Sequence, residues 1–89
     1  SVLDKIKDLN QDEKSIIKFL LVEKRPIDLN NIQHHFTNLN DRKIKELIDR
    51  TGFIKSIGQT SISSATSFEC FEINEPFREI LEEKITELI

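Results

Sequence analysis

The stretch Asn38-Leu-Asn-Asp-Arg-Lys-Ile-Lys-Glu-Leu-Ile-Asp-Arg-Thr-Gly-Phe-Ile-Lys-Ser-Ile57 decides how this chain is read. Asn40 can cap a helix, because its side-chain oxygen satisfies one of the backbone N–H groups left free at a helix start. Ile44, Leu47, Ile48 and Thr51 then recur at helical spacing and share one face. Gly52 stands where a helix closes in a left-handed residue. Phe53 to Ile57 follows as a short apolar edge strand. The spacing therefore predicts a capped helix over 40–51, a glycine stop and a strand over 53–57.

Upstream, Asn10-Gln-Asp-Glu13 has the form of a capping box, with Glu13 reaching back to the cap. It opens a helix over 11–24 that turns Ile16, Ile17, Phe19, Leu20 and Leu21 inward. Lys24, Arg25 and Pro26 mark its end. Ile27 and Leu29 flank Asp28 as a one-step strand or a helix entry. Asp28 or Asn30 then caps a helix near 29–36 with Leu29, Ile32 and Phe36 inward. Thr37 to Leu39 makes a tight connection into the helix over 40–51, and two short helices so joined form a helix-turn-helix.

Downstream, Gly58 to Ser67 is small and polar and reads as a hairpin connection. Phe68 to Ile73 is the return strand, with Phe68, Cys70 and Glu72 on one face and Phe71 and Ile73 on the other. A last helix over 75–89 accepts Pro76 in its first turn. Phe77, Ile80, Leu81, Ile85, Leu88 and Ile89 form its apolar stripe. At the other end, Val2, Leu3, Ile6 and Leu9 predict a short opening helix.

The 89 residues suit one domain. Lacking Met and opening on Ser1, the chain is expected to be a piece of a longer protein or to have a processed start. No apolar run approaches the roughly 20 residues of a membrane span, and no signal-peptide pattern occurs, so an intracellular setting is expected. The single Cys70 cannot form an internal disulfide. Net charge is −3 and uneven: residues 1–58 hold 11 Lys/Arg and 9 Asp/Glu, residues 59–89 hold 2 Lys/Arg and 7 Glu.

The order helix, short strand, helix, helix, two-stranded hairpin, helix resembles the winged helix-turn-helix superfamily over about residues 10–74. The resemblance implies an α+β, mainly helical fold with a two-stranded wing and flanking N- and C-terminal helices. It also implies a non-enzymatic binding module in nucleic-acid regulation. The helix over 40–51 would meet duplex DNA, and Gln59 to Ser67 would form the wing. On that helix, Arg42, Lys43, Lys45 and Arg50 are the candidate nucleic-acid contacts, suited to phosphates or guanine edges.

The same residues carry a second reading. Arg42–Glu46, Glu46–Arg50 and Lys45–Asp49 are opposite charges at i,i+4 and can simply pair on a solvated face. Glu46 and Asp49 repel phosphate, and no Lys or Arg lies between Gln59 and Ser67. This leaves a protein-interaction or homodimerisation module without DNA binding as the alternative. Lys14, Lys18, Lys24 and Arg25 offer further phosphate contacts or ordinary surface charge.

No chemistry-bearing constellation stands out, and no cofactor is expected. His34 and His35 are adjacent, so on a helix they diverge by about 100° and do not chelate as i,i+4 partners do. With one distant Cys no metal-ligand set arises. Neither a nucleophile elbow nor a glycine-rich phosphate loop occurs. The apolar ends are longer than a small core needs. Leu81, Ile85, Leu88 and Ile89, with Val2, Leu3 and Ile6 at the other end, are the expected homodimer or partner interface, while Phe77 and Ile80 anchor the last helix to its own domain.

Overall fold

The computed structural model describes the backbone of residues 1–60 and 67–88, and the side chains of residues 1–58 and 69–85. Among the described residues five helices and three strands follow in the order α1 (Val2–Lys7), α2 (Gln11–Glu23), β1 (Ile27–Asp28), α3 (Leu29–His35), α4 (Asp41–Thr51), β2 (Ile54–Thr60), β3 (Ser67–Ile73) and α5 (Glu75–Leu88). The fold is α+β and mainly helical, with one antiparallel sheet in the order β1-β3-β2.

Local chemistry sets the helix ends. Ser1 caps α1, its side chain accepting from the Asp4 N–H at 3.3 Å. Asn10 accepts from the Glu13 N–H at 2.8 Å, and Glu13 accepts from the Asn10 N–H at 2.9 Å. This reciprocal box explains how Glu13 sits buried. Asp28 caps α3 and Asn40 caps α4 in the same way, each accepting from the N–H three residues on. Gly52 ends α4 at φ 73°, in the left-handed region. The end of α2 is less expected: Lys24, not a glycine, takes the left-handed conformation at φ 56°.

Ile44, Leu47, Ile48 and Thr51 are all buried, as the spacing of α4 requires. Thr51 satisfies its hydroxyl within the core: Oγ1 donates to the Ile48 carbonyl at 3.0 Å and accepts from the Phe53 N–H at 3.2 Å. The turn between α3 and α4 is held by Gln33, whose amide donates to the Leu39 and Phe36 carbonyls. On α2, Ile16, Ile17, Leu20 and Leu21 are buried, whereas Phe19 is half-buried at the edge. In β3, Phe71 and Ile73 join the core, and Cys70 on the opposite face is buried too. β3 is the middle strand, paired with β2 along one edge and with β1 at Cys70 and Phe71 along the other.

The expectation for the two ends is corrected. Leu81 and Ile85 are 0% and 1% exposed and belong to the domain's own core, as do Ile6 and Leu9. The reason is that α5 folds back along α2 and α1. Phe77 and Ile80 do anchor α5 to the core, partly buried against it, with Phe77 edge-on to Phe53 at 5.1 Å, but Leu81 and Ile85 are buried more deeply. Consequently the core extends beyond residues 10–74 at both ends. Of the expected interface residues, the Leu88 side chain and Ile89 lie outside the described residues, and Leu3 is exposed. Most of the stretch read as the hairpin connection, residues 61–66, lies outside them as well.

Candidate nucleic-acid or protein interface

The outward surface of α4 is made entirely of charged side chains. Asp41, Arg42, Lys43, Lys45, Glu46, Asp49 and Arg50 are all exposed, because the four apolar positions of this helix face inward. Sequence spacing thus brings Arg42, Lys43, Lys45 and Arg50 onto one accessible surface. Of the pairs expected at i,i+4, Arg42–Glu46 forms, while Lys45 and Arg50 do not take their expected partners.

Arg42 and Lys43 both approach Glu46, each at 3.9 Å. Lys45 does not pair with Asp49. It crosses to β3 and meets Glu69 at 3.2 Å. Glu69 is held from its other side by Ser56 on β2, whose hydroxyl donates to Oε2 at 2.6 Å. Ser56, Glu69 and Lys45 thereby link the hairpin to α4. The Ser56 hydrogen bond is the largest influence on Glu69 and lowers its pKa; desolvation opposes this, and Lys45 adds to the lowering through a hydrogen bond and its charge. On the same hairpin Lys55 pairs with Glu72 at 3.2 Å. Arg50 has no carboxylate partner among the described residues. It borders a shallow polar depression with Lys5, Asp8 and Glu13.

Taken together, the α4 face and the hairpin residue it meets match four cations with four carboxylates: Arg42, Lys43, Lys45 and Arg50 against Asp41, Glu46, Asp49 and Glu69. Such a surface presents alternating charge rather than a basic stripe.

Comparison with family models, with curated proteins and with solved structures finds no match. The chemistry of the surface itself is therefore the guide to function. Among the described residues no group of three His, Cys, Asp or Glu side chains converges to hold a metal ion. His34 engages its own helix, with Nδ1 3.0 Å from the Asn30 carbonyl. His35 stacks on Phe19 with ring centroids 4.2 Å apart. Burial pushes the Cys70 thiol up, and the nearby charge of Asp28 adds to the rise, so the thiolate that chemistry would need is disfavoured. Among the described residues no helix is long and apolar enough to cross a membrane.

Proposed function

We propose that this domain is a non-enzymatic, winged-helix-type binding module whose α4 face and β2–β3 hairpin dock on a protein. The architecture supports the winged-helix reading through its order: α3, a tight turn and α4 lead through Gly52 into an antiparallel hairpin. The observation that carries the choice of partner is the pairing of Lys45 with the Ser56-anchored Glu69. It commits a central cation of the α4 face to the domain itself. Duplex DNA would have to break that pair and bring Glu46, Asp49 and Glu69 close to phosphates. A protein surface of mixed charge can meet alternating residues without that cost, and mixed charge favours orientation and selectivity of the encounter.

A second reading, DNA contact through the same helix, has its own support. The ion pairs of Arg42 and Lys43 are long, their side chains are exposed, and Arg50 has no carboxylate partner among the described residues. Exposed pairs of this kind contribute roughly 0–1 kcal/mol and are readily exchanged for phosphate. Titration of a labelled DNA duplex at low salt separates the two. The protein reading expects no complex at about 100 μM domain, against the roughly 1–100 μM non-specific affinities of DNA-binding domains. A complex that weakens with salt, and loses roughly one counterion from its salt slope in Arg42→Ala and in Lys43→Ala, overturns it in favour of DNA.

A further inference from the structure

One carboxylate beside α4 is held differently from the rest. Glu46 meets Arg42 and Lys43 only at 3.9 Å, and all three belong to the same helix. Glu69 comes from β3 and is gripped through both of its oxygens. Oε1 lies 3.2 Å from the Lys45 ammonium, and Oε2 accepts the Ser56 hydroxyl at 2.6 Å. Three elements, α4, β2 and β3, thus meet on one carboxylate. Alternation along β3 explains the placement. Glu69 shares a face with Phe71 and Ile73, which enter the core, whereas Glu72 and its partner Lys55 lie on the opposite face of the sheet. Asp28 borders a depression with Glu69, but its carboxylate is engaged as the α3 cap, accepting from the Asn31 N–H at 2.7 Å.

An ammonium and a hydroxyl converging on the two oxygens of one anion are also what a nucleic-acid phosphate recruits. Here Glu69 supplies the anion from within the chain. We propose that Glu69 is an autoinhibitory counter-ion: its carboxylate occupies the Lys45 and Ser56 donors that a DNA phosphate would take, and so sets the partner class of the α4 face. The inference rests on the protein-binding reading above and names the residue responsible for it. A phosphate arriving from solution competes with a carboxylate that is tethered next to both donors and therefore acts at high effective concentration. Once displaced, that carboxylate stays nearby and repels the phosphate. Glutamine at position 69 keeps the shape and removes the charge. It leaves four cations, Arg42, Lys43, Lys45 and Arg50, against three carboxylates, Asp41, Glu46 and Asp49, with Lys45 released to join the others.

The test titrates a labelled DNA duplex at low salt with the parent domain, Glu69→Gln and Glu72→Gln. The two substitutions change net charge equally, but the second acts on the far face of the sheet. The expected result is no complex for the parent or for Glu72→Gln at about 100 μM, and a complex for Glu69→Gln. The gain should be about fivefold or more: up to roughly fivefold from releasing an exposed ion pair, and the rest from the lost repulsion. Lys45→Ala added to Glu69→Gln should erase the gain and flatten the salt slope by roughly one counterion. Ser56→Ala, which loosens Glu69 without altering charge, should give a smaller gain in the same direction while circular dichroism stays that of the parent. A gain that Glu72→Gln matches, or that survives Lys45→Ala, is a general charge effect and overturns the inference. No complex with Glu69→Gln also overturns it and leaves the protein reading in place. A parent that binds DNA overturns the protein reading instead; the inference then stands only if Glu69→Gln binds tighter still and Lys45→Ala erases the difference.

Discussion

Replacing Gly52 with alanine isolates a single backbone angle. Gly52 lies at φ 73° and ψ 2°. A methyl group built there meets no heavy atom within 4 Å beyond its chain neighbours, so the substitution brings no clash. What remains is the cost of holding an L-residue in the left-handed region, roughly 1–2 kcal/mol. The stiffer unfolded chain of the alanine variant returns about 0.4–1 kcal/mol. The net expectation is a loss of about 1 kcal/mol, which with a urea m-value of about 1 kcal/mol/M lowers the midpoint by roughly 1 M. D-alanine at the same position, introduced by chemical synthesis, should instead stabilise the fold. It keeps the stiffening of the unfolded chain and favours positive φ. An unchanged or raised midpoint for Gly52→Ala, or equal losses for both enantiomers, would refute the backbone argument. Lys24 supplies the mirror experiment: it pays the same conformational cost at φ 56° and ψ 23°, so Lys24→Gly should gain roughly 0.5–1 kcal/mol.

Three further outcomes follow from burial and from the Glu69 contacts. Ile85→Ala should cost about 2–5 kcal/mol in chemical denaturation, and Ile85→Glu should lose the helical circular dichroism signal; a folded Ile85→Glu variant would contradict the burial of α5. Because Glu69 titrates below its ordinary range when folded, its contribution is present above the unfolded pKa and is lost as pH falls through the folded value. Ser56→Ala should raise the Glu69 midpoint toward the ordinary glutamate range in an NMR titration, and an unmoved midpoint would dismiss the Ser56 hydrogen bond as the cause. Cys70, 2% exposed, should react with a thiol reagent orders of magnitude more slowly in the native domain than in denaturant, and comparable rates would show that β3 opens readily.

What the sequence disclosed and what it withheld divide along a physical line. The caps at Asn10 and Asn40, the inward face of α4 and the positive φ of Gly52 depend on residues within a turn or two of one another. Periodicity and capping chemistry reach that far. The β1 strand is two residues long, so Ile27 and Leu29 flanking Asp28 leave strand and helix entry equally open, and the choice rests on pairing with distant Phe71 and Cys70. The burial of Leu81 and Ile85 is hidden in the sequence for a related reason. A helical stripe announces that an apolar side chain wants cover without saying which element supplies it, and here α2 and α1 do.

The same divide runs through the candidate site. The four cations of α4 are plain in the sequence, and the i,i+4 rule anticipated Arg42 with Glu46. That rule cannot see Lys45 reaching Glu69, because the pair spans a helix and a strand that meet only in the folded domain. The left-handed backbone of Lys24 is not legible, because Lys24, Arg25 and Pro26 mark the end of α2 through charge and ring alone. A lysine in the left-handed region leaves no compositional mark.

The middle position of β3 has a consequence for how the domain comes together. All inter-strand bonds of the sheet pass through this one segment, to β2 on one side and to β1 on the other. β2 precedes β3 closely in the chain and can pair with it early, as hairpins do within microseconds. β1 lies beyond α3 and α4, so its two residues can join only after a long loop has closed, an entropic toll that local contacts do not incur. Its junction at Ile27 and Phe71 joins the first and last thirds of the chain through the sheet, alongside the packing of α5 on α1 and α2. A chain cut between α3 and α4 would keep the β2–β3 hairpin in one piece but would have to reassemble this seam between separate molecules.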